Sequence, residues 1–209
     1  MNSIKNISAK KITTTIFQLC FGCMAFFLFT GLTTSDVIYW SNDYRLTWDD
    51  FAGQPHFEKL DVSAITSSGI IHYEGCENDM LTCKVQAYFE KKESWVKDEA
   101  KTEYHLAHEQ IHFDITELHT RKLRKALVDR QFKCEEKESF EAFVTAYIEN
   151  WKNDQQTYDL LTHHSVDRKV QRAWYYKINM ELSLLEDYAE EKEVITAFVE
   201  AVTEVPKKE

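Results

Sequence analysis

The stretch that decides the fold lies near the middle of the chain and reads His105-Leu106-Ala107-His108-Glu109-Gln110-Ile111-His112-Phe113-Asp114. The surrounding segment, from about Lys97 to Gln131, contains no Gly or Pro and is rich in Glu, Lys, Ala, Leu and Arg, so it predicts one long helix. Apolar residues recur along it at helical spacing: Tyr104, Ile111, Ile115 and Leu118. His108 and His112 fall at the edge of this apolar stripe, so we expect both imidazoles to face the interior.

The pattern His-Glu-x-x-His predicts a metal site on this helix. His108 and His112 are four residues apart, so both rings project from one face and can bind one zinc ion at about 2.0–2.1 Å. Glu109 flanks that face, where a carboxylate can take a proton from a water whose pKa zinc lowers to about 7. The alternative is a chance occurrence of the pattern. His119 lies about 10.5 Å farther along the helix, so we expect it to pack or to hydrogen bond instead.

A catalytic zinc ion needs a third protein ligand, with a fourth position left for water. The metzincin pattern requires Gly and His where this chain has Ile115 and Leu118, and no thermolysin-like glutamate motif follows. The third ligand must therefore come from another element.

A second helix is predicted from about Glu136 to Thr162, joined to the first by a short connection, so that the two helices pack antiparallel. This packing places Asp159 opposite His108, with His164 one to two turns farther along. We expect His164 to be the third ligand, and Asp159 to be either an outer hydrogen-bonding partner or the alternative ligand. His163 and His164 can also be read as an exposed polar helix end.

Several motifs, taken in order, resemble the bacterial domain of unknown function 922 over about residues 44 to 185. They are Leu46-Thr47-Trp48-Asp49-Asp50-Phe51-Ala52-Gly53-Gln54-Pro55, Ala64-Ile65-Thr66-Ser67-Ser68-Gly69-Ile70, Ser94-Trp95-Val96, His108 to Glu117, and Tyr158-Asp159-Leu160-Leu161-Thr162-His163-His164 with Gln171 and Trp174. The resemblance implies a secreted zinc-dependent protease of the zincin type. It implies His108, His112 and His164 as ligands and Glu109 as the base. Ser165 departs from the family string, which has Gly at that place.

The N-terminus predicts export. Lys5, Lys10 and Lys11 precede an uncharged, largely apolar stretch from Ile12 to Ser35. We interpret residues 1–35 as a signal peptide, with an uncleaved membrane anchor as the alternative because about 24 uncharged residues can span a bilayer. The mature protein is then expected in the periplasm or outside the cell, with membrane attachment through this segment if it is not cut.

Charge excludes nucleic acid as a partner. Removing the N-terminal segment moves the formal net charge from −10 to about −13, and no basic patch with interleaved aromatic residues remains. Residues 36–200 suit a single domain that can bury a core, and residues 201–209 form a polar tail.

Three cysteines lie outside the N-terminal segment. Cys76 and Cys83 flank a turn between two strand-like runs, so a disulfide across a β-hairpin is expected, with unpaired thiols as the alternative. Cys134 has no disulfide partner in this interpretation.

The order of the predicted elements, strands first and helices after them, predicts an α+β fold. Strands are expected at Val37–Tyr39, Arg45–Trp48, Ser63–Tyr73 and Leu81–Phe89, followed by helices that include a third from about Val166 to Glu191. A small antiparallel sheet in the N-terminal half then packs on a layer of long helices that carries the zincin-like active-site helix. We interpret Thr66, Ser67 and Ser68 as ordinary polar side chains of an edge strand.

Two functions fit these patterns. One is an exported zinc metallopeptidase that acts on a peptide or protein substrate. The other is a non-catalytic exported domain in which the same residues form a closed structural zinc site with four protein ligands, or bind no metal.

Overall fold

The computed structural model describes residues 35–55 and 62–189. The predictions for the N-terminal segment and for the polar tail lie outside these residues. The fold is α+β, as predicted, with a small antiparallel sheet in the N-terminal half and three helices after it. Within the described part of the chain, no helix has the length and apolar character needed to cross a membrane.

Five strands form two small sheets. They are β1 (Val37–Tyr39), β2 (Ala64–Ile65), β3 (Ser68–Glu77), β4 (Met80–Glu90) and β5 (Trp95–Val96). The larger sheet has the order β1-β4-β3, and the smaller pairs β2 with β5; every pairing is antiparallel. The predicted strand Ser63–Tyr73 is thus divided between the two sheets at Thr66 and Ser67.

The hairpin between β3 and β4 is longer than predicted. Its turn residues Asn78 and Asp79 have φ of 49° and 67°, the left-handed backbone that a two-residue hairpin turn needs and that Asn and Asp tolerate. Pairing therefore continues to Glu77↔Met80 at the end of the ladder.

The predicted strand Arg45–Trp48 is wrong. A 3-10 turn, Trp48–Asp50, stands at its end instead. The Asp50 carboxylate accepts hydrogen bonds from the Thr47 backbone N–H at 2.9 Å and from the Tyr44 hydroxyl at 2.7 Å. Such local side-chain bonds offer the backbone an alternative to a strand ladder.

The predicted Cys76–Cys83 disulfide is also wrong. The hairpin register places Cys76 opposite Leu81 and Cys83 opposite Glu74, so the two cysteines are diagonal neighbours, about 7–8 Å apart in a regular ladder and beyond ordinary disulfide reach. Cys76 instead bonds Cys134, with their Cα atoms 5.8 Å apart. Cys83 points into the core as a free thiol, and burial, followed by the charge of Glu74, raises its pKa to about 12.

The helices are α1 (Glu103–Asp129), α2 (Lys137–Thr162) and α3 (Arg168–Leu184). The first two match the predicted helices closely. α1 begins six residues later than predicted, because Thr102 caps it by accepting a hydrogen bond from the His105 N–H at 3.2 Å, and a 3-10 turn, Asp98–Ala100, occupies the preceding residues.

α1 is the central element of the fold. Phe113, Leu123 and Leu127 pack towards the larger sheet, whereas Ile111, Ile115 and Leu118 pack among Tyr158 of α2 and Trp174 and Ile178 of α3. A helix covered on both sides has little room for exposed polar side chains. His108, Glu109, Asp114, Glu117 and His119 of α1 are therefore buried and must find partners.

Candidate metal centre

Three side chains from α1 and α2 converge on one point, and we call them the ligand triad: His108, His112 and Asp159. The Asp159 Oδ1 atom lies 3.2 Å from Nε2 of His108 and 3.1 Å from Nε2 of His112. The two Nε2 atoms are 3.2 Å apart. The antiparallel packing of α1 and α2, predicted from their short connection, brings Asp159 opposite His108 as expected.

The triad has the spacing that a tetrahedral metal site needs. Ligand atoms at about 2.0–2.1 Å from a tetrahedral zinc ion lie roughly 3.3 Å from one another. The three distances of the triad are all close to this value, and two imidazoles with one carboxylate are a ligand set that zinc accepts. The residues therefore fit a divalent metal ion of this type.

The two histidines of the triad are held in different ways. His112 contacts the side-chain amide of Gln155, whose Oε1 lies 2.6 Å from the ring Nδ1. His108 stacks on Tyr158 with ring centroids 4.6 Å apart and an interplanar angle of 23°. Among the residues that the structure describes, Nδ1 of His108 is buried without a hydrogen-bond partner.

Charge in the triad is concentrated on Asp159. Burial raises the pKa of this carboxyl, but hydrogen bonds with His108 and His112 outweigh burial and hold the pKa well below its usual range. Burial lowers the pKa of His108. Burial also acts to lower the pKa of His112, yet its bond with Asp159 and the charge of Glu109 bring the net shift upward. The carboxylate is therefore ionised and available to a cation.

Glu109 lies beside the triad and outside it. Its Oε2 atom accepts a hydrogen bond of 2.7 Å from the Thr66 hydroxyl, which lies between β2 and β3. The residue is buried, at 6% exposure, and it lines the same cleft as the triad. A carboxylate that is buried, held by one donor and turned towards a metal site is suited to accept a proton.

The triad forms the floor of a cleft of about 680 Å³. One wall consists of residues 62–68, including β2, with Trp95 of β5 behind them. The other wall is the last part of α2, with Trp151, Gln155 and Gln156. The triad is thus open to molecules that enter between the small sheet and α2.

His164, the third ligand that the sequence favoured, is not one of the three convergent residues. It lies at the rim of the cleft with its side chain 69% exposed, and its Nδ1 is 3.5 Å from Oδ1 of Asp159. Asp159 takes the place expected for His164 because α2 ends at Thr162, whereas Asp159 is still helical and faces α1.

The turn after α2 is left-handed at three successive residues. His163, His164 and Ser165 have φ of 49°, 51° and 73°. Ser165 stands where the resembling family has Gly, and the chain adopts the glycine-type conformation there without one. Backbone of this kind costs of order 1–3 kcal/mol per residue and is held by its surroundings. Here Asp167 N–H donates to the Thr162 carbonyl at 2.8 Å and closes the turn.

Sequence reasoning missed Thr66 and Gln155. Thr66 was read as ordinary strand polarity, and no motif marks a glutamine as a partner of a histidine. The predicted antiparallel packing of the two helices could have indicated Gln155. A residue one turn before Asp159 on α2 must lie near His112. His119 behaves as predicted: it is buried away from the triad, and its Nε2 lies 2.8 Å from Oδ2 of Asp154.

Comparison with known proteins gives one match. No curated protein and no solved structure matches the chain. Residues 82–165, which run from β4 through the turn after α2 and contain the triad, Glu109 and His164, match the model of a family described as bacterial protein of unknown function (DUF922).

Proposed function

We propose that this protein is an exported zinc-dependent hydrolase that cleaves peptide bonds. The observation that carries the proposal is the convergence of His108, His112 and Asp159, with three ligand atoms 3.1–3.2 Å apart at the floor of an open cleft. Three protein ligands and access from outside are the features of a catalytic zinc site, whereas a structural site is closed by four.

Glu109 is the general base in this proposal. It follows His108 on the helix, so it adjoins the metal position without sharing it. His108, His112 and Asp159 would hold the zinc ion, which would supply a water with its pKa lowered to about 7 and a Lewis acid for a carbonyl oxygen. The Glu109 carboxylate accepts the proton of the attacking water and can later give it to the leaving amine. The Thr66 hydroxyl holds Oε2 of Glu109 in place for both transfers.

A peptide is the proposed substrate because an extended chain suits the walls of the cleft. The β2 strand pairs with β5 and also lines the cleft, so the edge of β2 that has no strand partner among the described residues can pair with an extended substrate. Export follows from the basic and uncharged N-terminal segment. The same segment attaches the protein to the membrane if it is not cleaved.

A non-catalytic zinc domain is the second candidate, and the position of His164 favours it. Its Nδ1 lies 3.5 Å from the Asp159 carboxylate, about the spacing between ligands of one tetrahedral ion. With a rotation of its side chain, His164 can close the site as a fourth ligand. A closed site stabilises the fold and leaves no place for a reacting water.

The test compares the full-length protein with Glu109→Gln and with Glu103→Gln, an exposed glutamate on the same helix. Zinc content and cleavage of a mixed peptide library are measured for each. We expect close to one zinc ion per chain in all three, with hydrolysis reduced about 10²–10⁴-fold in Glu109→Gln alone, as for a lost general base.

Three outcomes separate the candidates. Cleavage that Glu109→Gln leaves intact contradicts the proposed mechanism. Stoichiometric zinc without any cleavage favours the closed structural site. Absence of zinc from the protein, with no uptake when zinc is added, refutes both.

A further inference from the structure

Gln155 makes three contacts with α1, all of them near His112. Its Nε2 donates to the main-chain carbonyl of His112 at 2.9 Å and to the Thr116 hydroxyl oxygen at 3.0 Å. Its Oε1 lies 2.6 Å from Nδ1 of the His112 ring. The side chain therefore spans the backbone and the ring of the same histidine.

These contacts fix the orientation of the amide. A main-chain carbonyl only accepts hydrogen bonds, so the group that faces the His112 carbonyl must be the NH₂ of Gln155. The Thr116 hydroxyl oxygen also accepts from Trp151 Nε1 at 3.1 Å, and it lies 2.8 Å from the Ser68 hydroxyl, where either group can donate. The oxygen of the Gln155 amide must then be the atom that faces the imidazole.

An amide oxygen facing the ring determines where the imidazole carries its proton. The oxygen is an acceptor, so the neutral form of His112 that bonds to it carries the proton on Nδ1 and the lone pair on Nε2. Nε2 is the atom that faces His108 and Asp159. We propose that Gln155 is a positioning residue that fixes the ring orientation and the Nδ1–H tautomer of His112, and so presents its Nε2 lone pair to a metal ion.

The inference rests on the proposed zinc site for its functional meaning, but the tautomer can be tested without a metal. His108 offers the contrast within one protein. Its Nδ1 has no hydrogen-bond partner among the described residues, and its ring is held by stacking on Tyr158. Stacking fixes the plane of a ring and leaves the choice of tautomer open. Of the two histidines, His112 is thus the preorganised ligand.

The first measurement is the tautomer itself. Metal-free full-length protein with ¹⁵N-labelled histidine is studied by long-range ¹H–¹⁵N correlation in alkaline buffer, where imidazoles are neutral. We expect the Nδ1–H form of His112 to be more populated in the unsubstituted protein than in Gln155→Met, where the Asp159 carboxylate remains as an acceptor for Nε2–H. A population of the Nδ1–H form that is the same in both proteins overturns the inference.

The second measurement is zinc affinity, by competition with a chromophoric chelator. Gln155→Met keeps the length of the side chain and removes its acceptor, so we expect affinity to fall about 10–100-fold, as for other partners of metal-bound histidines. Gln155→Glu restores an acceptor for Nδ1–H and is expected to recover most of the loss. Gln131→Met, at an exposed glutamine outside the cleft, is the matched control and should bind zinc as the unsubstituted protein does.

The outcomes separate this inference from the proposed function. If Gln155→Met binds zinc as tightly as Gln131→Met, Gln155 does not position the ligand and the inference fails, while the zinc site stands. If no form binds zinc, the proposed function fails, and the tautomer spectra of the metal-free protein still decide the role of Gln155.

Discussion

Two polar groups that involve the same helix differ in what they bring together. The ligand triad joins His108 and His112, in the first half of α1, to Asp159 of α2. The arginine cluster, formed by Glu117, Arg121 and Arg124, lies farther along α1 and is buried more deeply, because His112 and Asp159 are only partly buried. In the arginine cluster donors meet acceptors, whereas in the triad two imidazole nitrogens and a carboxylate oxygen, all of which can bind a metal ion, converge on one point. Burial of charge alone therefore does not mark a functional site; the convergence of metal-binding atoms at an open cleft is the more specific feature.

The arginine cluster is a structural link between elements. Arg121 donates from Nε to Glu117 at 2.9 Å and from Nη1 to the Leu182 carbonyl of α3 at 2.8 Å. Arg124 donates to the Val85 carbonyl of β4 at 2.9 Å and to the Tyr188 carbonyl at 2.8 Å. Glu117 is the only carboxylate that both arginines share among the described residues. The cluster joins the sheet, α1 and the end of α3.

The largest effect is expected when the shared carboxylate of the arginine cluster loses its charge. Glu117→Gln leaves two buried guanidinium groups without their common counter-ion, so we expect the free energy of unfolding to fall by about 3–5 kcal/mol. Urea denaturation measures this, with the exposed Glu103→Gln as a control that should change stability by less than about 0.5 kcal/mol. A small effect of Glu117→Gln would show that the arginine cluster is not a structural link, and the contrast between this cluster and the ligand triad would fail.

A smaller effect concerns pH, and it involves His119 of α1. Burial is the main cause that lowers the pKa of His119, and the nearby charges of Asp154, Lys122 and Glu181 modify it. The unfolded chain therefore takes up a proton at a higher pH than the folded one. Neutral His119 therefore contributes stability at pH values above about 6.5, the pKa of histidine in the unfolded chain. This contribution is lost as the pH falls through the lower pKa that His119 has in the folded protein.

His119→Gln keeps a hydrogen-bond donor for Asp154 and removes this titration. We expect its stability to decline less on acidification than that of the unsubstituted protein, by an amount smaller than the effect of Glu117→Gln. The check is the urea midpoint at a pH above and a pH below the unfolded pKa for both proteins. Equal declines would mean that His119 is not buried in its neutral form.

The sequence predicted the helices and the centre of the site well. Helical spacing over a segment without Gly or Pro fixes α1 and α2, and the short connection forces them antiparallel, which places Asp159 near His108. The same periodicity leaves His108 and His112 on one face. These are local rules, and a single sequence is enough to apply them.

The errors came from tertiary structure. The choice of His164 over Asp159 depended on where α2 ends and how the next turn bends, and three left-handed residues follow no local rule that the chain displays. The Cys76–Cys134 disulfide joins the hairpin to the connection between α1 and α2, so it depends on packing between distant segments. Gln155 has no motif, because its role arises only when α2 lies beside His112.

The central claim is that Asp159, with His108 and His112, binds zinc and that His164 does not. Zinc dissociation constants of Asp159→Asn and His164→Ala, measured by competition against the unsubstituted protein, test it most directly. We expect Asp159→Asn to weaken binding by more than the roughly 100-fold upper range for an outer partner, and His164→Ala to weaken it by less than about tenfold. A larger loss in His164→Ala than in Asp159→Asn would contradict the claim and make His164 the ligand.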